Sequence, residues 1–212
     1  MSTFNDIDIS CEECGHEFRG TIWTAVHAGE DPELKELLLG GELNMVMCPE
    51  CSHVAFQDHF VLYQDPPAEL AAYVYPAHQV READSLRKMM VQSFREAQEV
   101  YAPKDRKSYD PVLLFGLEAL VEMMTQEEAR AEQSQIAQEI CKENDIPFIL
   151  LRPSEARQRG IMRVIPRTGK TPKPSREEIL KGLDRLLALN PKLDLYAQLK
   201  KSIQVDKTWT LI

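Results

Sequence analysis

The chain has 212 residues, 43% hydrophobic and 28% charged, with 34 Asp/Glu against 25 Lys/Arg for a formal net charge of −9. This is ordinary globular composition, long enough for one large or two small domains with a packed core. No run of roughly 18 apolar residues argues for a membrane span. The start MSTFNDIDIS has no basic segment and no apolar stretch, so no secretory leader is expected and the expected location is the cytoplasm.

The first landmark is CEECGH at 11–16. Strand-like TIWTAV (21–26) follows. A helix start is marked by Asp31 as N-cap and Pro32 at the first helical position, and after ELKELLL a stop is marked by Gly40-Gly41. Strand-like LNMVM (43–47) leads into CPECSH at 48–53, which has the build of the first landmark. Alternating VAFQDHFVLY, the turn Gln64-Asp65-Pro66-Pro67 and LAAYVYP predict a β-hairpin, with Phe56, Phe60, Tyr63, Tyr73 and Tyr75 covering sheet faces as core.

Residues 79–101 carry Leu86, Met89, Met90, Phe94 and Ala97 at helical spacing. APKDRKSYDP (102–111) breaks the pattern. A second helix is expected from Pro111, capped by Asp110, to about residue 143, with the stripe Leu113, Leu117, Leu120 and Met124. The two helices should pack as an antiparallel hairpin. Met89, Met90, Met123 and Met124 sit on it, read as core stripe with an adaptable binding groove as the alternative. Lone Cys141 reads as a small core residue.

From Asn144 a further unit begins. IPFILLRP and GIMRVIPR are strand-like, joined by SEARQR, and TGKTPKPS is a proline-rich link. Ser175 and Glu178 form a capping box for a helix to about Leu189, showing Ile179, Leu183, Leu186 and Leu187. A shorter helix follows to about Ile203. In the tail KTWTLI, Trp209, Leu211 and Ile212 alternate, either as an edge strand for another sheet or docked on their own chain.

The two C-x-x-C turns carry the chemistry. A tight turn after the first cysteine points both sulfurs at one metal and aims backbone N–H groups at the thiolates. Cys11, Cys14, Cys48 and Cys51 together offer the four sulfurs Zn²⁺ prefers, so one structural zinc per chain is expected. Four thiolates argue for a closed site, since catalytic zinc keeps one position open. A redox dithiol is the alternative. His16 and His53 are expected beside the site, not as ligands.

These pieces resemble the CpXC domain family, a zinc-ribbon-like bacterial family named for its Cys-Pro-x-Cys motif. The matching residues are Cys11, Cys14 with Gly15-His16, Trp23, DPELKELLLGGELN (31–44), CPECSH (48–53) and LYQDP (62–66) leading into YVYP. The likeness covers about residues 9–78 and extends weakly to about 128. Glu12 stands where the family usually has Pro, and Ser52 where Gly is usual; neither change removes a ligand. The resemblance implies a zinc-bound fold and no particular activity.

The expected fold is α+β: a zinc-ribbon-like antiparallel sheet with an inserted helix (1–78), a helical hairpin (79–143) and a smaller basic α+β unit (144–212). Charge follows a gradient. Residues 1–78 hold two Lys/Arg against 14 Asp/Glu, residues 79–145 nine against 14, and residues 146–212 fourteen against six. Arg152–Arg176 contains eight Lys/Arg and one acid, Glu155, but no aromatic residue to stack bases. No catalytic motif is present and no catalytic residue is assigned. The reading is a non-enzymatic zinc protein that contacts other proteins as adaptor or scaffold. The alternative is a regulator gripping nucleic acid through Arg152, Arg157, Arg159, Arg163 and Arg167.

Overall fold

The computed structural model describes residues 1–169 and 171–211. The chain divides into two compact units, Met1–Met124 and Thr125–Ile212. The α+β class holds.

In the first unit, β1 (Thr3–Ser10) and β2 (Glu17–His27) form an antiparallel hairpin, with Ser10 opposite Glu17 at its closed end. α1 (Pro32–Leu39) follows, then β3 (Met45–Met47) and β4 (Val54–Phe56), a separate two-stranded antiparallel ribbon. β5 (Val61–Asp65) and β6 (Leu70–Tyr75) make the expected hairpin across the Asp-Pro-Pro turn. The main sheet has the order β1-β2-β5-β6-β7, where β7 is Val112–Phe115.

Two pairings depart from the all-antiparallel expectation: β2 with β5 and β6 with β7 are parallel. Both join strands separated by long connections, which is the condition parallel pairing requires. The first connection contains α1 and the β3–β4 ribbon; the second contains a 3₁₀ turn (Ala77–Glu82) and α2 (Ala83–Glu99). The uninterrupted helical hairpin therefore gives way. Val112–Phe115 has helical spacing in sequence, yet it pairs with Ala72–Tyr75, and α3 (Leu117–Glu143) begins only after Gly116. Edge pairing beside the buried β6 overrides a local helical pattern.

Asp31 occupies the N-cap position of α1, but its carboxylate accepts from the Ser2 amide at 3.0 Å, not from its own helix. The core gathers Val26, Leu34, Leu38, Leu43, Val61, Tyr63 and Leu70 with Leu117, Leu120 and Met124 of α3. Each such aliphatic side chain, fully buried, is worth roughly 1.5–3 kcal/mol.

In the second unit, β8 (Phe148–Leu150) pairs antiparallel with β9 (Val164–Pro166). The segment between them is not a plain link. It folds as α4 (Pro153–Arg159), started by Pro153 and ended at Gly160. α5 (Arg176–Leu189) carries the predicted box: Glu178 N donates to Ser175 Oγ at 3.2 Å and Ser175 N to Glu178 Oε2 at 2.7 Å. α6 (Asp194–Val205) completes the set. Tyr196 is fully buried and donates to the Val164 carbonyl at 2.8 Å. Gly182 lies so close to Pro166 and Arg167 that a Cβ there would overlap their backbone. The tail forms no strand among the described residues. Leu211 is buried in this unit's core and Trp209 packs against it, while Ile212 lies outside the described residues. No helix is long and apolar enough to cross a membrane among the described residues.

Candidate metal centre

Each cysteine pair sits in a hairpin turn. Residues 11–16 close β1 onto β2, and residues 48–53 close β3 onto β4. The two turns share one hydrogen-bond frame. The amide of the first cysteine donates to the histidine carbonyl, Cys11 to His16 at 2.9 Å and Cys48 to His53 at 2.8 Å. The amide of the fifth residue donates back to the first cysteine's carbonyl, Gly15 at 2.8 Å and Ser52 at 2.9 Å. Both fifth residues are left-handed, with φ +72° and +60°. Glycine adopts this without cost, whereas serine is strained there.

The turns face each other. Cys11 Sγ lies 3.6 Å from Cys51 Sγ and Cys14 Sγ lies 3.7 Å from Cys48 Sγ. All four sulfurs fall within 4.8 Å of one another, so the set can hold a metal ion. A tetrahedral ion with metal–sulfur bonds of about 2.3 Å needs sulfur–sulfur edges of about 3.8 Å, close to what is seen. The separations are far beyond a disulfide bond of about 2.05 Å, and all five cysteines are free thiols. Cys11 and Cys48 are buried; Cys14 and Cys51 are exposed.

Electrostatics favour one thiolate and resist the next. The Cys14 amide facing its sulfur brings Cys11 down to about 6. The His53 amide acts in the same direction on Cys51, but burial and the neighbouring cysteines outweigh it and push that thiol up to about 12. Cys14 is likewise raised: the His16 amide lowers it, while burial and Cys11 and Cys48 raise it more. A divalent cation removes this conflict, because it neutralises charge that the sulfurs impose on one another.

Asn44 joins the two halves, and the sequence did not single it out. It is 4% exposed, with φ +62°. Its Oδ1 accepts from Trp23 N at 2.7 Å and its Nδ2 donates to Trp23 O at 3.0 Å. Its own carbonyl accepts from Gln57 N at 2.9 Å. One side chain thus ties the middle of β2 to the entry of the β3–β4 ribbon and brings the second turn to the first. An Asn in a left-handed position after Gly-Gly is the one local signal for it.

His16 and His53 are outside the sulfur cluster among the described residues. His16 stacks on Phe18 with ring centroids 6.4 Å apart, and both histidines contribute their carbonyls to the turns. Cys141 is 1% exposed in the second unit's core, and burial pushes its thiol up to about 11.

The basic segment is largely engaged within its own unit. Arg157 pairs with Glu127 through two nitrogens, and Arg152 pairs with Glu155 at 3.2 Å. Arg163 Nε donates to the Leu151 carbonyl at 3.2 Å, Arg159 to the Thr210 carbonyl at 3.5 Å, and Arg167 to the Thr171 carbonyl. Arg176 donates to the Ile203 and Gln204 carbonyls near the end of α6, at 2.8 and 2.9 Å. Lys170 lies outside the described residues.

The family model for "CpXC protein" matches residues 9–142. The chain belongs to the CpXC family. The CpXC match takes in both cysteine turns, β2, β5, β6 and β7 of the main sheet and nearly all of α3; residues 1–8, which hold most of β1, and residues 143–212 fall outside it. No curated protein and no solved structure matches the chain.

The CpXC region also carries an exposed apolar surface, which includes Phe56, expected from the sequence to lie in the core. On the β3–β4 ribbon, Met45 faces Phe56 and Met47 faces Val54 across the strands, and these four are 45%, 43%, 63% and 47% exposed. Strand alternation places them together on one face, with the 8%-exposed Val46 on the other. A cavity of about 590 Å³ adjoins this face, lined by Leu38, Leu39, Leu43, Leu117 and Val121 with Glu118 and Glu122 on its wall. Of the aromatics expected in the core, Tyr63 and Tyr73 are buried, and Phe60 packs on Tyr75 at 4.8 Å; only Phe56 turns outward.

Proposed function

We propose that this CpXC protein is a non-enzymatic adaptor of the cytoplasm, in which one zinc ion on Cys11, Cys14, Cys48 and Cys51 holds a ribbon that docks a protein partner. Four thiolates at tetrahedral spacing suit Zn²⁺ in a closed, structural role. The observation that carries the reading is the apolar face Met45, Met47, Val54 and Phe56, raised on the same ribbon whose turn supplies two of the four sulfurs. An apolar patch of this kind on a ribbon too small for its own core marks an interaction site. The partner is a segment with apolar side chains flanked by Lys or Arg. The first unit holds nine Lys/Arg against 22 Asp/Glu, net −13, and Glu118 and Glu122 flank the adjoining cavity.

A native mass spectrum of protein purified without added metal or chelator tests the zinc. One zinc per chain supports it; a metal-free mass about 2–4 Da low indicates disulfides and overturns it. Cys48→Ser should lose the zinc and melt at lower temperature, because structural zinc binding is largely folding free energy. An array of peptides with Leu or Phe flanked by Lys tests the docking face. Binding lost at least about tenfold in Met47→Asp/Phe56→Asp, with zinc retained, supports the adaptor reading. Two other outcomes count against it. One is a wild-type dimer made monomeric by the same pair of changes. The other is salt-sensitive nucleic-acid binding lost only on Arg159→Glu/Arg163→Glu.

A further inference from the structure

The first unit is strongly acidic, yet one of its cavities is not. Seven of its nine cations fall between Arg81 and Lys107, and four of them, Arg87, Arg95, Arg106 and Lys107, line a single surface cavity of about 600 Å³. Glu99 and Asp110 share the wall, so its described lining residues sum to net +2, in a unit of net −13. None of the four cations makes an ion pair with a carboxylate among the described residues. Arg87 and Arg95 stand on α2, while Arg106 and Lys107 come from the loop after it. Like charges gathered this way repel, and an anion bridging them removes that repulsion.

The loop is fastened rather than loosely draped. Lys107 N donates to Gln98 Oε1 at 3.0 Å, and Lys107 Nζ donates to Gln64 Oε1 of β5 at 3.0 Å. Lys107 is half-buried, and burial lowers its pKa from the ordinary lysine value. Arg106 Nε is directed to the Tyr101 carbonyl at 3.4 Å. The neutral glutamine and carbonyl oxygens orient these cations without cancelling their charge. An anion entering the cavity therefore meets cations already positioned.

Apart from the neutral polar Gln98 and Ser108, the rest of the described wall is apolar and aromatic. Met90 is 3% exposed, and the rings of Phe94 and Tyr109 lie with centroids 6.4 Å apart at 47°. Guanidinium groups bind phosphate oxygens bidentately, and aromatic faces take flat rings. The volume is within the range of pockets that enclose a small cofactor-sized ligand.

We infer that this cavity, formed by α2 and the loop from Arg106 to Pro111, binds a small phosphorylated ligand bearing a flat ring, of the nucleoside phosphate class. Arg87, Arg95 and Arg106 hold the phosphates. Lys107, held by Gln64, adds a fixed charge beside them, and Phe94 with Tyr109 packs the ring. The site is distinct from the sulfur cluster and from the ribbon face, and no part of the adaptor reading is needed for it.

The test is titration calorimetry on the full zinc-loaded chain at fixed ionic strength, with ADP, adenosine and inorganic pyrophosphate as probes. ADP should bind, adenosine should not bind measurably, and pyrophosphate should bind at least about tenfold more weakly than ADP. Arg87→Gln/Arg95→Gln should weaken ADP at least about tenfold, since a hydrogen bond to a charged group contributes about that much apiece. Both positions are exposed, so melting temperature and zinc content should hold. Arg106→Gln alone gives an independent check on the loop, and Arg159→Gln, in the other unit, should change nothing. The inference is overturned if ADP does not bind at millimolar concentration. It is equally overturned if the Arg87/Arg95 and Arg106 variants bind ADP as well as wild type, or if pyrophosphate equals ADP.

Discussion

Asn44→Ala removes the side chain that ties the second cysteine ribbon to β2. Two hydrogen bonds, at 2.7 and 3.0 Å to the Trp23 backbone, disappear and leave a buried N–H and C=O without that partner. At about 1 kcal/mol net for each bond, the loss is about 2 kcal/mol. Alanine also tolerates the φ of +62° less well than asparagine does, which adds about 1 kcal/mol. The total of about 3 kcal/mol, spread over the unfolding entropy of a 124-residue unit, lowers its melting temperature by about 10 °C. The assay is urea denaturation at buffered free zinc, read by Trp23 fluorescence in a Trp209→Phe background, so that the only remaining tryptophan reports the first unit. Zinc competition against a chromophoric chelator is measured in parallel and should show weaker binding, because the second turn is no longer held against the first. A stability change below about 1 kcal/mol with zinc affinity intact would refute the assignment of Asn44 as the link.

The remaining expectations concern the turns and the second unit. Because Gly15 and Ser52 occupy the same left-handed position in matching frames, Gly15→Ser should cost about 1 kcal/mol and Ser52→Gly should return about as much. Chemical denaturation of the two variants and their combination checks this, and shifts of equal sign would be inconsistent with the shared frame. A thiol reagent should modify four cysteines after chelation of the metal, while Cys141, 1% exposed and with its thiol raised to about 11, reacts only on unfolding. Peptide mapping of the labelled chain reads the order. Gly182→Ala should destabilise the second unit by about 2–3 kcal/mol through overlap with the Pro166 and Arg167 backbone, measured by differential scanning calorimetry. Tyr196, buried and hydrogen-bonded to Val164, has its pKa raised above the free value of about 10, first by burial. Its neutral form is thus kept in the folded state, so its contribution is full below about pH 10 and falls as pH rises further, when the unfolded chain ionises first. Tyr196→Phe should flatten that alkaline slope while costing about 1–2 kcal/mol at neutral pH.

What was legible in the sequence was local. The cysteine turns announce themselves because C-x-x-C followed by a small residue is both the ligand spacing and the turn signal, and the Ser175–Glu178 box fixes the start of α5 within four residues. The β5–β6 hairpin follows from a Pro-Pro turn that tolerates little else. Features set by distant partners were not legible. Val112–Phe115 has a helix-like pattern and becomes a strand because β6 offers it an edge. SEARQR reads as a link because a helix of seven residues is too short to show a period. Phe56 looks like core because alternation gives two faces without saying which one the rest of the unit covers. The four cations of the α2 cavity come from a helix and a loop, so no single window of sequence gathers them.

The sulfur cluster also acts on the unfolded chain. Its contacts join residues 34 and 40 positions apart, so a bound metal closes a long loop as a covalent bridge would. By the chain-entropy relation used for disulfides, a closure of that length restrains the unfolded ensemble by about 4 kcal/mol. Unlike a disulfide, this fastening opens by ligand exchange, without an oxidant or reductant. Both turns carry their own backbone frame, so the halves it joins need not be rebuilt each time. A metal held there would couple the ribbon face to metal supply: whatever competed for the ion would also loosen the platform on which Met47 and Phe56 are displayed.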